Sequence, residues 1–303
     1  MIPLLLACAT PEAPDDSTSL PACDLTVTAS VGDGATGVPG NRPVRLALSE
    51  PDATATVDGS VPGTLARPSA TTLVWTPSPP LAPLTDVTLT VSTCAGESAI
   101  RYRTSELGAA PAAGVDLAAS GFRVDLASGT ILRPTTGAAL LGVLAAQGTE
   151  LLVGLAPGDD GAMGFRLAVA TDGAQDPCSR TLDLAGGSLD GGWFAFGPAG
   201  VDFYVYDTRV VLQDLAFGGA VRTDGSALEA AWLRGWVGVE ALAVAYADGD
   251  VQQACSFFGS LGAPCEPCPD GEGECLAIEV EDLVAEATGA PVFAVSEACP
   301  QDG

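Results

Sequence analysis

The chain has no histidine and no lysine. Its twelve basic residues are all arginine, set against 38 acids in 303 residues. Without histidine there is no Ser-His-Asp or Cys-His nucleophile, no imidazole metal ligand and no imidazole proton shuttle. Without lysine there is no Schiff base and no P-loop lysine. Carboxylate, Tyr, Arg, Ser and Cys chemistry is what remains. Positive charge is so scarce that the formal net charge is −26. That charge repels nucleic-acid phosphates and argues against docking on anionic lipid through a basic patch. Long apolar runs are also missing. No internal segment approaches the roughly 20 apolar residues of a membrane-spanning helix, so none is expected.

What is present suits short strands. The chain is 47% hydrophobic, enough to bury sizeable cores, and it is punctuated by 37 Gly and 23 Pro. Its length fits about two domains. Residues 24–105 hold 7 acids and 5 Arg, whereas 106–303 hold 28 acids and 7 Arg, so the acidity belongs to the second part.

The first part alternates at period two. Leu25 and Val27; Val44, Leu46 and Leu48; Leu73 and Trp75; Val87, Leu89 and Val91; and Ile100 and Tyr102 each line one side of a short run. Gly, Pro, Asn or Asp bounds each run, which predicts a β-sandwich over 23–105. Residues 106–114, rich in Ala and Gly, read as a linker. From 115 to 303 the pattern predicts a second antiparallel β domain, a sandwich or partly closed barrel with one or two short helices. Strands are expected around Phe122–Leu126, Leu151–Leu155, Phe165–Val169, Phe194–Phe196, Phe203–Tyr206 and Leu276–Val280. Helices are expected over 137–146 and 251–258. Asp224-Gly225 between the runs 210–222 and 227–237 predicts a hairpin with a type I′ turn.

Nine cysteines are present. Setting Cys8 aside leaves an even set, which fits disulfides in an oxidising compartment. The expected pairs are Cys23–Cys94, Cys178–Cys299, Cys255–Cys265 and Cys268–Cys275. Cys265, Cys268 and Cys275 also have the spacing of a metal knuckle, but the usual His partners are missing and disulfides are the simpler reading.

Two resemblances add to this. The run Leu5-Leu6-Ala7-Cys8 resembles the bacterial lipobox, which implies cleavage before Cys8 and lipid on its sulfur. A longer leader upstream of Met1 is then expected, because seven residues are short for a signal peptide. Residues 1–8 would be the remnant of the signal, and 9–22, rich in Pro, Ser, Thr and Asp, a flexible tether. Ala9 after the lipidated Cys implies the outer membrane. The second resemblance starts at Val31-Gly32-Asp33-Gly34-Ala35-Thr36-Gly37-Val38-Pro39. It continues through Val44 to Ser49, Leu73-Val74-Trp75-Thr76-Pro77, Pro80-Leu81 and Val87 to Val91, and closes at Tyr102-Arg103-Thr104. This resembles the bacterial Ig-like (Big) domains of S-layer and surface proteins, which implies a spacer or adhesion module without catalytic residues.

Three chemistries are open in the second domain. Acidic turns at Asp159 and Asp160, at Asp248 and Asp250, and at Asp270, Glu272 and Glu274 are candidate Ca²⁺ ligands, although none follows the EF-hand or RTX pattern. A carboxylate hydrolase needs two acids across a cleft, and no pair is singled out. Trp193, Phe194, Phe196, Phe203, Tyr204, Tyr206, Phe217, Trp232 and Trp236 crowd a short stretch, as either a core or the lining of an apolar pocket. The resulting expectation is an exported, lipid-anchored, non-enzymatic envelope protein with an unidentified protein, glycan or small-molecule ligand. A carrier or sensor of an apolar molecule or Ca²⁺ is the alternative, and a hydrolase a remote one.

Overall fold

Period-two alternation of aliphatic and polar residues builds the first body, because side chains on a strand point to opposite faces. The computed structural model describes residues 23–125, 128–134, 149–157, 162–171, 173–205 and 208–296. Cys8, the tether over 9–22, Leu126, the helix expected over 137–146, Asp159, Asp160, Tyr206 and Cys299 lie outside them.

Eight strands form two sheets. They are β1 (Val27–Ala29), β2 (Ala35–Val38), β3 (Val44–Leu48), β4 (Thr56–Gly59), β5 (Gly63–Ser69), β6 (Thr72–Pro77), β7 (Asp86–Thr93) and β8 (Gly96–Thr104). One sheet runs β1-β3-β6-β5 and the other β2-β8-β7-β4. Labelled A to G in immunoglobulin fashion, these are the ABED and CFG sheets of that sandwich, with β2 added parallel to the last strand. Val44, Leu46, Leu73, Trp75, Val87, Leu89 and Val91 meet between the sheets and are almost fully buried. Trp75 lies across Gly63, where any Cβ would collide with the indole.

The second body is an antiparallel barrel. Its strands are β9 (Gly121–Asp125), β10 (Thr130–Arg133), β11 (Thr149–Pro157), β12 (Met163–Thr171), β13 (Ala174–Gln175), β14 (Leu182–Asp190), β15 (Trp193–Val205), β16 (Thr208–Val221), β17 (Ala227–Gly238), β18 (Glu266–Pro267) and β19 (Glu274–Ala287). The ring runs β9-β11-β12-β14-β15-β16-β17-β19 and returns to β9, closing eight strands. The partly closed option is therefore completed by the pairing of β19 with β9, which removes the open edge. Two helices, α1 (Val239–Tyr246) and α2 (Val251–Ser260), follow β17. Asp250 caps α2 by accepting from the Gln253 amide at 3.0 Å.

The hairpin at Asp224-Gly225 is real, but its turn is not type I′. A pair from the Arg222 amide to the Ala227 carbonyl closes a four-residue loop. Only Gly225 takes a positive φ, of 73°. The Asp224 carboxylate accepts from both the amide and the hydroxyl of Ser226, an Asx turn that replaces the mirror-image geometry.

Non-glycine residues sit in the left-handed region on three adjacent strands: Asp214 on β16, Ala230 on β17 and Asp282 on β19. Pairing register slips beside the first two, and the β17–β19 ladder skips Asp282. Such bulges bend long strands and let a barrel close, at a strain of about 1–2 kcal/mol each.

Candidate functional site

The barrel interior is the first place to look for a ligand, and side chains fill it. Phe165 stands at the centre. Its ring centroid lies 4.7 Å from that of Phe217, 5.9 Å from Phe196 and 6.0 Å from Phe194. Phe122, Val153, Leu155, Met163, Leu184, Val201 and Leu215 complete the packing. Three of the crowded aromatics, Phe194, Phe196 and Phe217, are therefore core. The three tryptophans are elsewhere. Trp193 is buried outside the barrel wall. Trp232 and Trp236 lie on the outer wall under the guanidinium groups of Arg234 and Arg133, at 5.0 and 5.1 Å. The side chains of Phe203 and Tyr204 are outside the described set.

Trp193 belongs to the seam between the two bodies. Its indole N–H donates to the Leu81 carbonyl of the sandwich at 3.3 Å. A Cβ at Gly108 would collide with its ring, and one at Gly40 would collide with the Leu81 carbonyl and crowd the ring at 3.1 Å. The linker continues the contact: the Gly192 amide donates to the Gly108 carbonyl and the Ala112 amide to Thr223.

An ion cluster completes the seam. Arg45 on β3 reaches Glu279 at 2.5 Å and Glu281 at 3.2 Å on β19. Arg234 on β17 reaches the same two carboxylates at 3.2 and 3.4 Å. Arg42 meets Asp282, the bulge residue, at 2.6 Å. Burial works against the charge of Arg45, and the carboxylates of Glu279 and Glu281 more than offset it, so its pKa is raised. Arg42, Pro43, Ala230, Trp232 and Asp282 line a crevice here of about 20 Å³, room for one water.

A polar cleft of about 230 Å³ opens between Arg123, Gly173, Glu286 and Thr288. Arg123 is flanked by Glu150 at 3.8 Å and Glu286 at 3.9 Å, so the cleft offers no uncompensated positive charge to an anion.

Two of the acidic residues serve as local caps. Asp250 caps α2, and Asp270 accepts from the Gln213 amide nitrogen at 2.7 Å and from the Glu272 amide at 2.9 Å. Asp248 takes a positive φ in the connection between the helices. Among the described residues no three His, Cys, Asp or Glu come together as a metal-binding group. The carboxylates whose pKa departs from the ordinary value all shift down. Asp52 does so by hydrogen bonds from Thr54, Asp176 by bonds from Ser179 and Asp224 by bonds from Ser226. These groups are held as anions, which suits turns rather than proton donation.

Cys23 is bonded to Cys94, Cys255 to Cys265 and Cys268 to Cys275. Cys178 is disulfide-bonded as well. The knuckle spacing at Cys265, Cys268 and Cys275 is thus occupied by sulfur–sulfur bonds. No described helix is long and apolar enough to cross a membrane.

No protein-family model matches the chain, and no curated protein does. Among solved structures, similarity extends to an LD transpeptidase in complex with imipenem, at 11% identity and TM-score 0.23, covering 47% of this chain and 74% of the other. It extends also to an L,D-transpeptidase from Mycobacterium smegmatis, at 13% identity and TM-score 0.23, covering 49% and 77%. A TM-score this low carries no argument about fold or activity.

Proposed function

We propose that the chain is a lipid-anchored cell-envelope protein, carried on the outer membrane, with a non-enzymatic structural, adhesive or binding role. The observation that carries this reading is the solid barrel. A barrel that transports an apolar molecule keeps space at its centre, and here Phe165 and its three ring neighbours take that space. Paired cysteines fit an oxidising compartment. The sandwich fits a spacer of the bacterial Ig-like kind, and the Leu5-Leu6-Ala7-Cys8 run supports a lipid anchor ahead of a flexible tether.

Metabolic labelling with an alkyne fatty acid tests the anchor. The chain is expressed behind a complete leader in a bacterial host. Wild type is expected to take the label and Cys8→Ser to lose it; equal labelling removes the anchor. A melting curve in Ca²⁺ against EDTA tests the role. A ligand that binds only the folded form raises Tm, so the non-enzymatic scaffold is expected to melt alike in both. A rise of several degrees with Ca²⁺ would transfer the function to cation binding.

A further inference from the structure

The two helices and the loop behind them differ from the rest of the barrel. Residues 239–274 hold seven acids and no basic residue. Disulfides Cys255–Cys265 and Cys268–Cys275 staple the unit. Its small core of Val239, Ala243, Ala247, Ala254, Phe258, Ala263 and Leu276 is built largely of alanine. That core holds the helices while leaving large apolar side chains outside. Val244 on α1 is 62% exposed, Phe257 on α2 is 46% and Leu261 at its end is 40%. These are half of the exposed large hydrophobics among the described residues, gathered in a 36-residue unit. Phe257 and Leu261 stand four residues apart and so share one flank of the helix. The Phe257 ring leans on Phe258 at 5.3 Å and still faces water.

Charge narrows what would cover this flank. Glu240, Asp248, Asp250 and Glu272 of the same unit are exposed. None of the four lies within ion-pair distance of an arginine among the described residues. Exposed apolar groups rimmed by charge of one sign mark contact surfaces, and the sign sets the partner. A second copy of a chain with net charge −26 is repelled here, and so is an anionic lipid surface. The helices grow from Gly238, which pairs with Cys275, whereas the sandwich meets the barrel at Trp193, Glu279, Glu281 and Asp282.

We propose that this stapled two-helix unit is a docking surface for a protein segment that is both basic and apolar. Val244, Phe257 and Leu261 would take its apolar side chains, and the unit's carboxylates its Lys or Arg. The assignment rests on the non-enzymatic reading above. Its test uses purified chain without lipid, so its failure is separate from failure of the anchor.

The probe is a fluorescent synthetic helix of about 14 Leu and Lys residues with one apolar face, compared with a Lys/Ser peptide of equal charge by anisotropy. The full chain is expected to bind the Lys/Leu peptide about tenfold more tightly. Phe257→Ser with Leu261→Ser is expected to abolish that preference, and Leu65→Ser on the exposed β5 to leave it intact. Equal binding of the two peptides, or an unchanged preference in the double variant, overturns the proposal. So does a concentration-dependent dimer, or pelleting with phosphatidylcholine vesicles, that the double variant loses. Those results would assign the flank to a second copy or to lipid. Should the double variant melt early, Val244→Ser on α1 is expected to weaken the same preference, and no weakening overturns the proposal.

Discussion

The sandwich and the barrel solve the same problem in opposite ways. The sandwich closes by stacking two sheets of short strands, the longest being β8 with nine residues. Its core is mainly aliphatic, with Trp75 and Tyr102 as its two rings, and its formal charge is nearly balanced. The barrel closes one sheet on itself with strands of up to 14 residues. Strands that long must bend, and the bends fall at Asp214, Ala230 and Asp282. Two of these residues then line the crevice that receives Arg42 of the sandwich. The strain that closes the barrel thus also shapes the shoulder on which its neighbour sits.

The largest expected effect separates the two cores. Phe165→Ala opens a hole among the three remaining rings and is expected to destabilise the barrel by about 3–5 kcal/mol. Urea unfolding followed by hydrogen exchange would show whether β3, β6 and β7 lose protection together with β15 and β16. Joint loss means one cooperative unit, and loss confined to the barrel means two. Trp193→Ala addresses the same question from the seam, with an expected cost of about 2–4 kcal/mol. A single calorimetric transition is expected to split in two; an unsplit, unshifted transition would show that Trp193 does not join the bodies. Replacing Cys255 and Cys265 by Ser is expected to cost about 2–3 kcal/mol. The loss should be confined to α1 and α2 and be visible as faster proteolysis there.

How far these features could be read in advance follows from the same contrast. In the sandwich, Val44, Leu46, Leu73, Trp75, Val87, Leu89 and Val91 alternate without interruption, so period two was enough. Strands β2, β4 and β5 escaped because they present almost no buried residues; β5 is exposed along its whole length. In the barrel, β15 looked like two strands, around Phe194 and around Phe203, because Gly197-Pro198 interrupts the alternation without ending the strand. No sequence signal marks helix α1, because Val239–Tyr246 is apolar on nearly every side and carries no side-chain cap. The full closure of the barrel depends on β19 pairing with β9, more than 150 residues earlier in the chain. No local pattern reports a contact that distant. The seam was equally hidden. Trp193 looked like one more member of the aromatic run, and only the nearby Gly108 and Gly192 hint that a backbone passes close.

Smaller effects sharpen the comparison. Arg45→Ala leaves Glu279 and Glu281 with Arg234 alone and is expected to cost about 1–2 kcal/mol. Raising salt should reduce that difference, and an unchanged difference would mean that the contact is packing rather than charge. The smallest effect is on pH. Asp52 in the sandwich accepts hydrogen bonds from the Thr54 hydroxyl and from the amides of Thr54 and Cys94, which hold its pKa down. A carboxylate with a lowered folded pKa contributes stability above the unfolded value of about 3.9, and that contribution fades as pH falls through the folded one. Wild type is expected to lose melting temperature below about pH 4 more steeply than Asp52→Asn. Parallel curves would show that Asp52 does not set the acid limit.

The bond between Cys23 and Cys94 has a mechanical consequence. β1 is an edge strand of three residues, and a pull on the chain ahead of it would peel its hydrogen bonds away one at a time. Cys94 sits in the turn between β7 and β8, whose ladder pairs eight residues on each side. A load arriving at Cys23 is therefore passed across the sulfurs to the longest hairpin of the sandwich. There the bonds share the tension, and the first strand is left slack.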